Sequence, residues 1–236
     1  MSTRLMADEN NELHKIRERQ FPQQPPPVRI AAKIISYIFH PIFVPLYVVY
    51  FLVYVHPYLF TGFDEFQKIR TVMMAVVSFT FFPLVTVLLL KALNFIETIY
   101  LHTQKDRVIP FLACMIWYFW IWYVWNNFGQ TRDVVDIPRE AVQFALATFI
   151  STIIGLMANI KMKVSLHAIS AGIVIVFFVK MALIQQLNFG AWLAIVFLLS
   201  GLVCTARFIV SDHTVQEVYG GLVVGSASMI IAGWVG

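Results

Sequence analysis

A short polar stretch near the C-terminal end of the chain carries an arginine, a histidine and a glutamate between two long apolar runs. Arg207 precedes His213 by six residues, and Glu217 follows His213 by four. An arginine binds an oxyanion through paired hydrogen bonds, and a histidine serves as a nucleophile or a general acid. If the helix has begun by His213, the two residues share one of its faces, because residues four apart do so. Glu217 could then hold one ring nitrogen of His213. The stretch therefore predicts an oxyanion site with an oriented histidine.

Two earlier polar clusters also lie at the edges of apolar runs. The first contains Lys105 and Arg107, and the second contains Lys163, Ser165 and His167. A serine at the start of a helix is accompanied by free backbone N–H groups and the positive end of the helix dipole, which favour an anion. We expect these cations and histidines to converge with the C-terminal stretch on one face of the membrane.

The composition identifies the protein that positions these clusters as an integral membrane protein. The chain is 59% hydrophobic and 13% charged, whereas soluble domains are about 45–50% apolar and about 25% charged. Apolar runs of the length that spans a bilayer as a helix cover Ile34–Val55, Thr71–Leu93, Ile109–Trp125, Ala141–Ile160, Ser165–Leu187, Phe189–Val210 and Val218–Val235. The expected fold is an all-α polytopic bundle of about seven transmembrane helices, within a range of six to eight.

The N-terminal residues 1–28 are polar and mixed in charge, and they end in a proline-rich stretch that favours an extended conformation. We expect a mobile tail there, with a polar surface helix over Leu5–Phe21 as the alternative. Residues 29–236 are expected to form one transmembrane domain. Two prolines in the first run, Pro41 and Pro45, predict a kink.

The sidedness follows from the count of spans. With seven spans, the three polar clusters lie on the same side of the membrane as the N-terminus, and most Lys and Arg residues fall on that side. The positive-inside rule then places both in the cytoplasm, and we expect the inner membrane of a bacterium. The net charge of +4 reflects this bias rather than nucleic-acid binding. The sequence does not indicate an oligomeric state.

The three clusters resemble the three signatures of the type 2 phosphatidic acid phosphatase superfamily. Arg207-x5-His213-x3-Glu217 is similar to the third signature, which reads Ser-Arg, five residues, His, three residues, Asp. Val164–His167 (Val-Ser-Leu-His) resembles the second signature, Pro-Ser-Gly-His. Arg107, followed by a displaced proline, is similar to the end of the first, which reads Lys, six residues, Arg-Pro. The resemblance runs from about residue 95 to the end of the chain.

This resemblance implies a lipid phosphate phosphatase that works without a metal or another cofactor. The implied substrate is a membrane lipid carrying a phosphomonoester or a diphosphate, of the isoprenoid diphosphate, phosphatidate or phosphatidylglycerophosphate type. His213 would be the nucleophile that forms a phosphohistidine, Glu217 would orient it, and His167 would protonate the leaving group. The residues implied to bind the phosphate are Arg107, Arg207, Ser165 and Leu166 (through its backbone N–H), with Lys105 or Lys163 replacing a missing lysine.

Four positions depart from the signatures. Tyr100 stands where the first signature has Lys, and Leu166 stands where the second has Gly. Ala206 replaces Ser and Glu217 replaces Asp in the third. These departures indicate a divergent branch of the family. They also favour an alternative function, a catalytically silent relative that binds or translocates anionic lipid.

Several of the polar residues have structural alternatives. Thr214–Glu217 fits a capping box at the start of the last span, and Ser165 fits a helix cap. The lysines are also typical of cations at a membrane interface. His102 is expected to lie in a loop, and His40, next to a proline, is expected to mark a packed kink. A transporter would need ionisable residues deep in the spans, and only His40 and Lys180 qualify.

Overall fold

The structure is a computed structural model, and its N-terminal part contains two short strands. Strand β1 (Arg4–Ala7) pairs antiparallel with β2 (Leu13–Ile16), so the alternative of a surface helix over Leu5–Phe21 is wrong. The expected mobility of the tail stays a prediction. The residues that the structure describes are 4–7, 13–16, 24–96, 104–127, 136–185, 188–210 and 213–236.

The rest of the described chain is helical, as the composition predicts. The α-helices are α1 (Pro26–Ile38), α2 (Val44–Tyr50), α3 (Glu65–Ala75), α4 (Phe82–Ala92), α5 (Gln104–Asn127), α6 (Arg139–Lys161), α7 (Leu166–Ile184), α8 (Gly190–Val210) and α9 (Val215–Val235). A π-helical segment, Phe51–Val55, extends α2, and another, Val76–Phe81, joins α3 to α4.

Six helices in the described part of the chain are long and apolar enough to cross a membrane: Glu65–Ala92, Arg107–Asn127, Arg139–Lys161, Leu166–Ile184, Gly190–Val210 and Val215–Val235. The protein is therefore an all-α polytopic membrane protein, and six lies within the predicted range. The count is one below the favoured seven because the first apolar run does not form a continuous helix.

That first run breaks completely where a kink was predicted. Helix α1 ends at Ile38 and α2 begins at Val44, with a turn between them that contains His40 and Pro41. Pro41 has no N–H to donate, and its ring collides with the preceding helical turn, so the helix cannot continue through it. The Tyr47 hydroxyl donates to the Ile38 carbonyl across the break, at 2.8 Å. Helix α1 alone, with 13 residues, is shorter than a bilayer span.

The centre of the bundle is a close pair formed by α7 and α9. Helix α7 packs against α8 and α9, and α6 packs against α5 and α9. Glycines let the backbones of α7 and α9 touch, since a Cβ at Gly221 would lie 2.6 Å from the Ser165 carbonyl oxygen. The Ser165 N–H donates to the Glu217 carbonyl at 3.0 Å, so the starts of the two helices are held side by side.

At the end of α7, a buried histidine, His56, links three segments of the bundle through hydrogen bonds. The Nδ1 atom of His56 accepts from the backbone N–H of Leu59, so its Nε2–H donates to the Gln185 side chain at 2.7 Å. Gln185 in turn donates to Glu140 at 3.2 Å. These bonds join the end of the α2 segment to the end of α7 and the start of α6. The chain between His40, which contacts His167, and His56, which contacts Gln185, therefore connects the start of α7 to its end.

Helix α1 lies against the bundle through one narrow face. It packs on α8, and its buried residues are Ala32 and Ser36. Its outward side chains, including Ile30, Ile34 and Ile38, are apolar and exposed. In a membrane protein such a face meets lipid, so α1 lies between the bilayer and the bundle.

Candidate functional site

Most of the residues predicted to carry chemistry line one cavity. The cavity has a volume of about 690 Å³ and lies where α5, α7, α8 and α9 bring the three polar clusters together. Its polar wall contains Arg107, Lys163, His167, Arg207 and His213, and Leu166 lies among them. The convergence expected from the order of the spans is thus present.

His213 and Glu217 form a buried pair at this wall. His213 Nδ1 lies 3.0 Å from Glu217 Oε2, and the two residues are 6% and 3% exposed. An ionised carboxylate only accepts hydrogen bonds, so Nδ1 carries the proton and the lone pair of neutral His213 is on Nε2. That arrangement leaves Nε2 as the nucleophilic atom of a side chain that lines the cavity.

Glu217 also caps α9. Its Oε2 accepts from the Thr214 N–H at 3.0 Å, and Thr214 Oγ1 accepts from the Glu217 N–H at 3.3 Å. The capping box weighed as an alternative is therefore present, and the same carboxylate holds His213. The cap fixes the carboxylate, and the carboxylate fixes the imidazole.

Burial keeps His213 neutral. It lowers the pKa of His213 below the usual 6.5, and the positive charges of Arg207 and Arg107 act in the same direction. The hydrogen bond and the charge of Glu217 oppose this shift. A lowered pKa leaves the Nε2 lone pair available at neutral pH and somewhat below it.

The two arginines reach the cavity from different helices. Arg107 lies at the start of α5 and is 6% exposed, and its Nη1 donates to the Val164 carbonyl at 2.7 Å. Arg207 lies in the last turn of α8 and is half-buried. Arg107 therefore ties the α6–α7 loop to the start of α5 and brings a positive charge, which suits an oxyanion, to the cavity.

Ser165 acts in the structure as the N-cap of α7. Its hydroxyl accepts from the Ala168 N–H at 3.4 Å, and its side chain is fully buried. The cap that was weighed against phosphate binding is thus present, and the direct phosphate contact stays a prediction. Leu166 does line the cavity, at the position where the second signature has a glycine.

His167 is engaged by a helix that the sequence did not link to the site. Its Nε2 lies 3.0 Å from the Ser36 carbonyl oxygen of α1, so Nε2 is the donor. The His40 ring lies edge-on to it, with ring centroids 5.4 Å apart. Burial lowers the pKa of His40 to about 4, with a smaller contribution from the charge of Arg207. His40 lines the cavity, and it also lies in the turn between α1 and α2.

The contribution of α1 had a signal in the sequence. Lys33, Ser36, Tyr37 and His40 all line the cavity, and their spacing of i, i+3, i+4 and i+7 is that of one helical face. The prediction of one span over Ile34–Val55 concealed that periodicity, because it placed three of these residues in a single membrane-crossing helix.

Other predicted residues lie elsewhere. The Lys105 side chain and His102 fall outside the described residues. Lys180 donates to the Gln143 side chain between α7 and α6, and it does not line the cavity.

Beyond its polar wall the cavity continues into the bundle as an apolar space. The residues that line this part come from α4 to α7 and include Leu84, Val87, Leu88, Phe111, Cys114, Phe144, Ile173 and Val174. Three hydroxyl residues of α6 line it too, and each donates to a backbone carbonyl three residues earlier: Thr148, Ser151 and Thr152. The cavity therefore combines a cationic end with a long apolar one.

No family model, curated protein or solved structure matches the chain. The assignment of chemistry to the site therefore rests on its own residues and on the resemblance of its three signatures.

Proposed function

We propose that the protein is a membrane phosphatase that hydrolyses a lipid phosphomonoester or diphosphate through a phosphohistidine on His213. The observation that carries the proposal is the His213–Glu217 pair, at 3.0 Å, on the wall of a cavity that Arg107 and Arg207 also line. It joins an aimed nucleophile to cations that stabilise phosphoryl oxygens, and phosphoryl transfer depends on such positioning and charge.

The first half of the reaction uses both histidines. His213 Nε2 attacks phosphorus, and the bond between phosphorus and the leaving oxygen breaks with its electron pair on that oxygen. His167 in its imidazolium form supplies the proton that this oxygen takes. Its Nε2–H is held by the Ser36 carbonyl, so the proton on Nδ1 is the one to be transferred.

The second half frees the enzyme. Water attacks the phosphorus of the phosphohistidine, neutral His167 accepts a proton from that water, and the P–N bond breaks. Inorganic phosphate leaves, and His213 returns to its neutral form with Nδ1–H on Glu217. The cycle needs no group beyond the side chains at the cavity.

The apolar part of the cavity supports a lipid as substrate. A phosphate ester bound at the arginines would have the apolar lining of the cavity, which includes Leu84 and Ile173, available for its organic part. A soluble phosphate ester would leave that surface unused. Integral membrane placement and an apolar cavity point to the same substrate class.

The experiment is phosphate release by the purified protein in detergent with metal chelated. The panel includes an isoprenoid diphosphate, phosphatidate and phosphatidylglycerophosphate, and the variants are His213→Asn and His167→Asn. We expect His213→Asn to reduce kcat at least about a thousandfold, as removal of a nucleophile does in other covalent enzymes. Wild type should also take up an acid-labile phosphoryl label that His213→Asn lacks. No release from any lipid by wild type would overturn the proposal.

A specific observation favours a second function. Leu166 brings its side chain to the cavity where the resembling signature has glycine, and His167 Nε2 is held by α1. Both features suit a silent relative that binds or translocates anionic lipid. For that function, wild type would release no phosphate, yet Arg207→Gln would weaken the binding of phosphatidate vesicles.

A further inference from the structure

Helix α1 presents an apolar face outward from the bundle. Ile30, Ile34 and Ile38 follow one another at intervals of four residues, so they form one stripe along the helix, the isoleucine face. These side chains are 58%, 53% and 49% exposed, whereas Ala32 and Ser36 are buried. The helix therefore separates an apolar outer side from an inner side that packs on α8.

The level of α1 in the membrane follows from what its inner side contacts. The Ser36 carbonyl and the His40 ring both contact His167, which lies in the first turn of the spanning helix α7. Helix α1 thus lies level with the end of a span, where the polar headgroups meet the acyl chains. An amphipathic helix at that level buries its apolar side in the acyl layer. The partner that fits the isoleucine face is therefore the acyl layer of the bilayer.

The inner side of α1 offers His167 a carbonyl that the helix itself does not use. The last four carbonyls of a helix lack partners within it. In a continued helix the His40 N–H would bond to the Ser36 carbonyl, but at the break it donates to the Tyr37 carbonyl at 3.3 Å. The Ser36 carbonyl instead accepts from His167 Nε2 at 3.0 Å. The break before Pro41 therefore provides the acceptor that orients His167.

A second contact on His167 comes from the turn that follows α1. The His40 ring lies edge-on to the His167 ring, with the centroids 5.4 Å apart. His40 is fixed in this turn, because its Nδ1 accepts from the Ile42 N–H at 3.4 Å and its carbonyl accepts from the Phe43 N–H at 2.8 Å. Both contacts belong to α1 and its turn, so the orientation of His167 depends on where α1 lies.

The bundle holds α1 through few groups. The side chains that α1 buries are those of Ala32 and Ser36, which are small, and the Tyr47 hydroxyl donates to the Ile38 carbonyl at 2.8 Å. Three half-exposed isoleucines carry more apolar surface than a buried alanine and a buried serine. Burial of apolar surface is the main driving force of association, so contact with the bilayer supplies much of what keeps α1 in place.

We infer that the acyl layer docks on the isoleucine face and thereby holds His167 in position through Ser36 and His40. Ser36 and His40 are then positioning residues, and the bilayer is part of what orders the site. The docking and the orientation of His167 do not depend on the proposed function, whereas an effect on turnover rests on it. Loosening α1 from the bilayer should disturb His167 strongly and substrate binding little.

The test is Ile34→Gln in the full-length protein, reconstituted in phosphatidylcholine nanodiscs with metal chelated. The change weakens the contact of the isoleucine face with the acyl layer and removes no buried side chain. We expect hydrogen exchange at the imidazole C2 position of His167, read by mass spectrometry, to become at least about twofold faster as the ring loses its contacts. For the lipid phosphate that the wild type hydrolyses fastest, kcat should fall about tenfold and KM should change less than about twofold.

The matched control is Ile160→Gln near the end of α6, where the isoleucine is 79% exposed. This variant, and Ile34→Leu, which keeps the face apolar, should match the wild type in both measurements. If Ile34→Gln does not fold, Ile30→Gln tests the same face.

Three results would overturn the inference. They are wild-type exchange at His167 in Ile34→Gln, an equal rise in Ile160→Gln, and faster exchange in an active Ile34→Gln protein whose kcat is unchanged. Absence of phosphate release from the wild type would instead refute the proposed function. Faster exchange at His167 in Ile34→Gln alone would in that case still support the docking of α1 on the bilayer.

Discussion

The helix pair α7–α9 and the helix α1 meet at His167, and they are held in opposite ways. In the pair, a Cβ added at Gly225 would overlap the Ile169 carbonyl, and one at Gly172 would overlap the Leu222 carbonyl. Helix α1 is held by one narrow face on α8, by the hydroxyl of Tyr47 and by its carbonyl bond to His167.

The two sides of the site therefore differ in how much freedom they have to move. His167 lies in the first turn of α7 and His213 stands just before α9, so the backbone contact between the two helices holds both histidines. In the proposed reaction their separation must suit one phosphorus atom. A short helix with few attachments adjusts at a lower cost than a helix locked into the bundle, because fewer packed side chains must move.

The substitution that we expect to have the greatest effect is Gly225→Ala, which separates α7 from α9. Gly225→Ala places a methyl group where the Ile169 carbonyl lies, so α7 and α9 must separate. We expect a loss of about 1–3 kcal/mol in the free energy of unfolding, as overpacking costs elsewhere. Lipid phosphate hydrolysis should fall about a hundredfold or more, because a misplacement of about 1 Å is that costly. Thermal unfolding and initial rates in detergent measure the two effects.

The control is Gly201→Ala on α8, where an added Cβ meets nothing within 4 Å. Its stability and rates should match those of the wild type. Wild-type rates in Gly225→Ala would show that the backbone contact does not set the distance between the histidines.

A smaller effect is expected from Glu217→Gln, which leaves the pair in contact. The amide oxygen still accepts from the His213 and Thr214 N–H groups, so the cap persists while the negative charge is lost. We expect kcat to fall about ten- to a hundredfold, within the range of acid–base contributions. Thermal stability should change little. A loss of folding equal to that of Gly225→Ala would mean that Glu217 only caps α9.

The pH profile provides a second measurement on the same pair. Attack requires neutral His213, so kcat/KM should fall on the acid side with a midpoint below the usual pKa of 6.5. Glu217 raises the pKa of His213, so in Glu217→Gln this midpoint should move to still lower pH. The folded protein binds this proton less readily than the unfolded chain does. The contribution of His213 to stability is therefore complete above about pH 6.5 and is lost as the pH falls below it. A midpoint above 6.5 in the wild type would contradict the assignment.

We expect the smallest effect on stability and activity from a substitution that loosens helix α1. Tyr47→Phe removes the 2.8 Å hydrogen bond from α2 to the last carbonyl of α1. Tyr47 is largely exposed, so we expect a loss of at most about 1 kcal/mol in stability. Because α1 holds His167, kcat should fall about two- to threefold with KM nearly unchanged. A fall in kcat as large as that in Glu217→Gln would show that α1 is as finely positioned as α9.

The locked side of the site was the part that the sequence could predict. The polar residues from Arg107 to Glu217 lie at the ends of apolar runs, and connecting loops as short as 162–165 leave little freedom over which ends meet. The i, i+4 spacing of His213 and Glu217 predicted their contact, which the 3.0 Å distance confirms. Their catalytic roles stay predictions.

The separation of α1 from α2 could not be predicted, because hydropathy is averaged over a window that is longer than the turn between them. The run from Ile34 to Val55 is apolar throughout, and a proline within a span is compatible with either a kink or an end of the helix. Tertiary packing decides whether the helix kinks or ends at the proline. Helix α1 packs on α8, and its buried residues are Ala32 and Ser36. The local sequence of α1 does not indicate that it packs against a helix so distant in the chain. His40 was therefore interpreted as a packing residue, although it lines the cavity.

The continuous path from the arginines to the apolar interior has a thermodynamic consequence for any acylated or prenylated guest. Moving a hydrocarbon chain from a bilayer into water costs about 0.8 kcal/mol for each methylene group, or roughly 13 kcal/mol for sixteen carbons. A cavity that offers Leu84, Val87 and Ile173 beside its cationic end removes that cost, because the chain exchanges one oily surrounding for another. Capture would then be governed by two-dimensional diffusion within the leaflet, and occupancy by the mole fraction of the lipid rather than by its aqueous solubility.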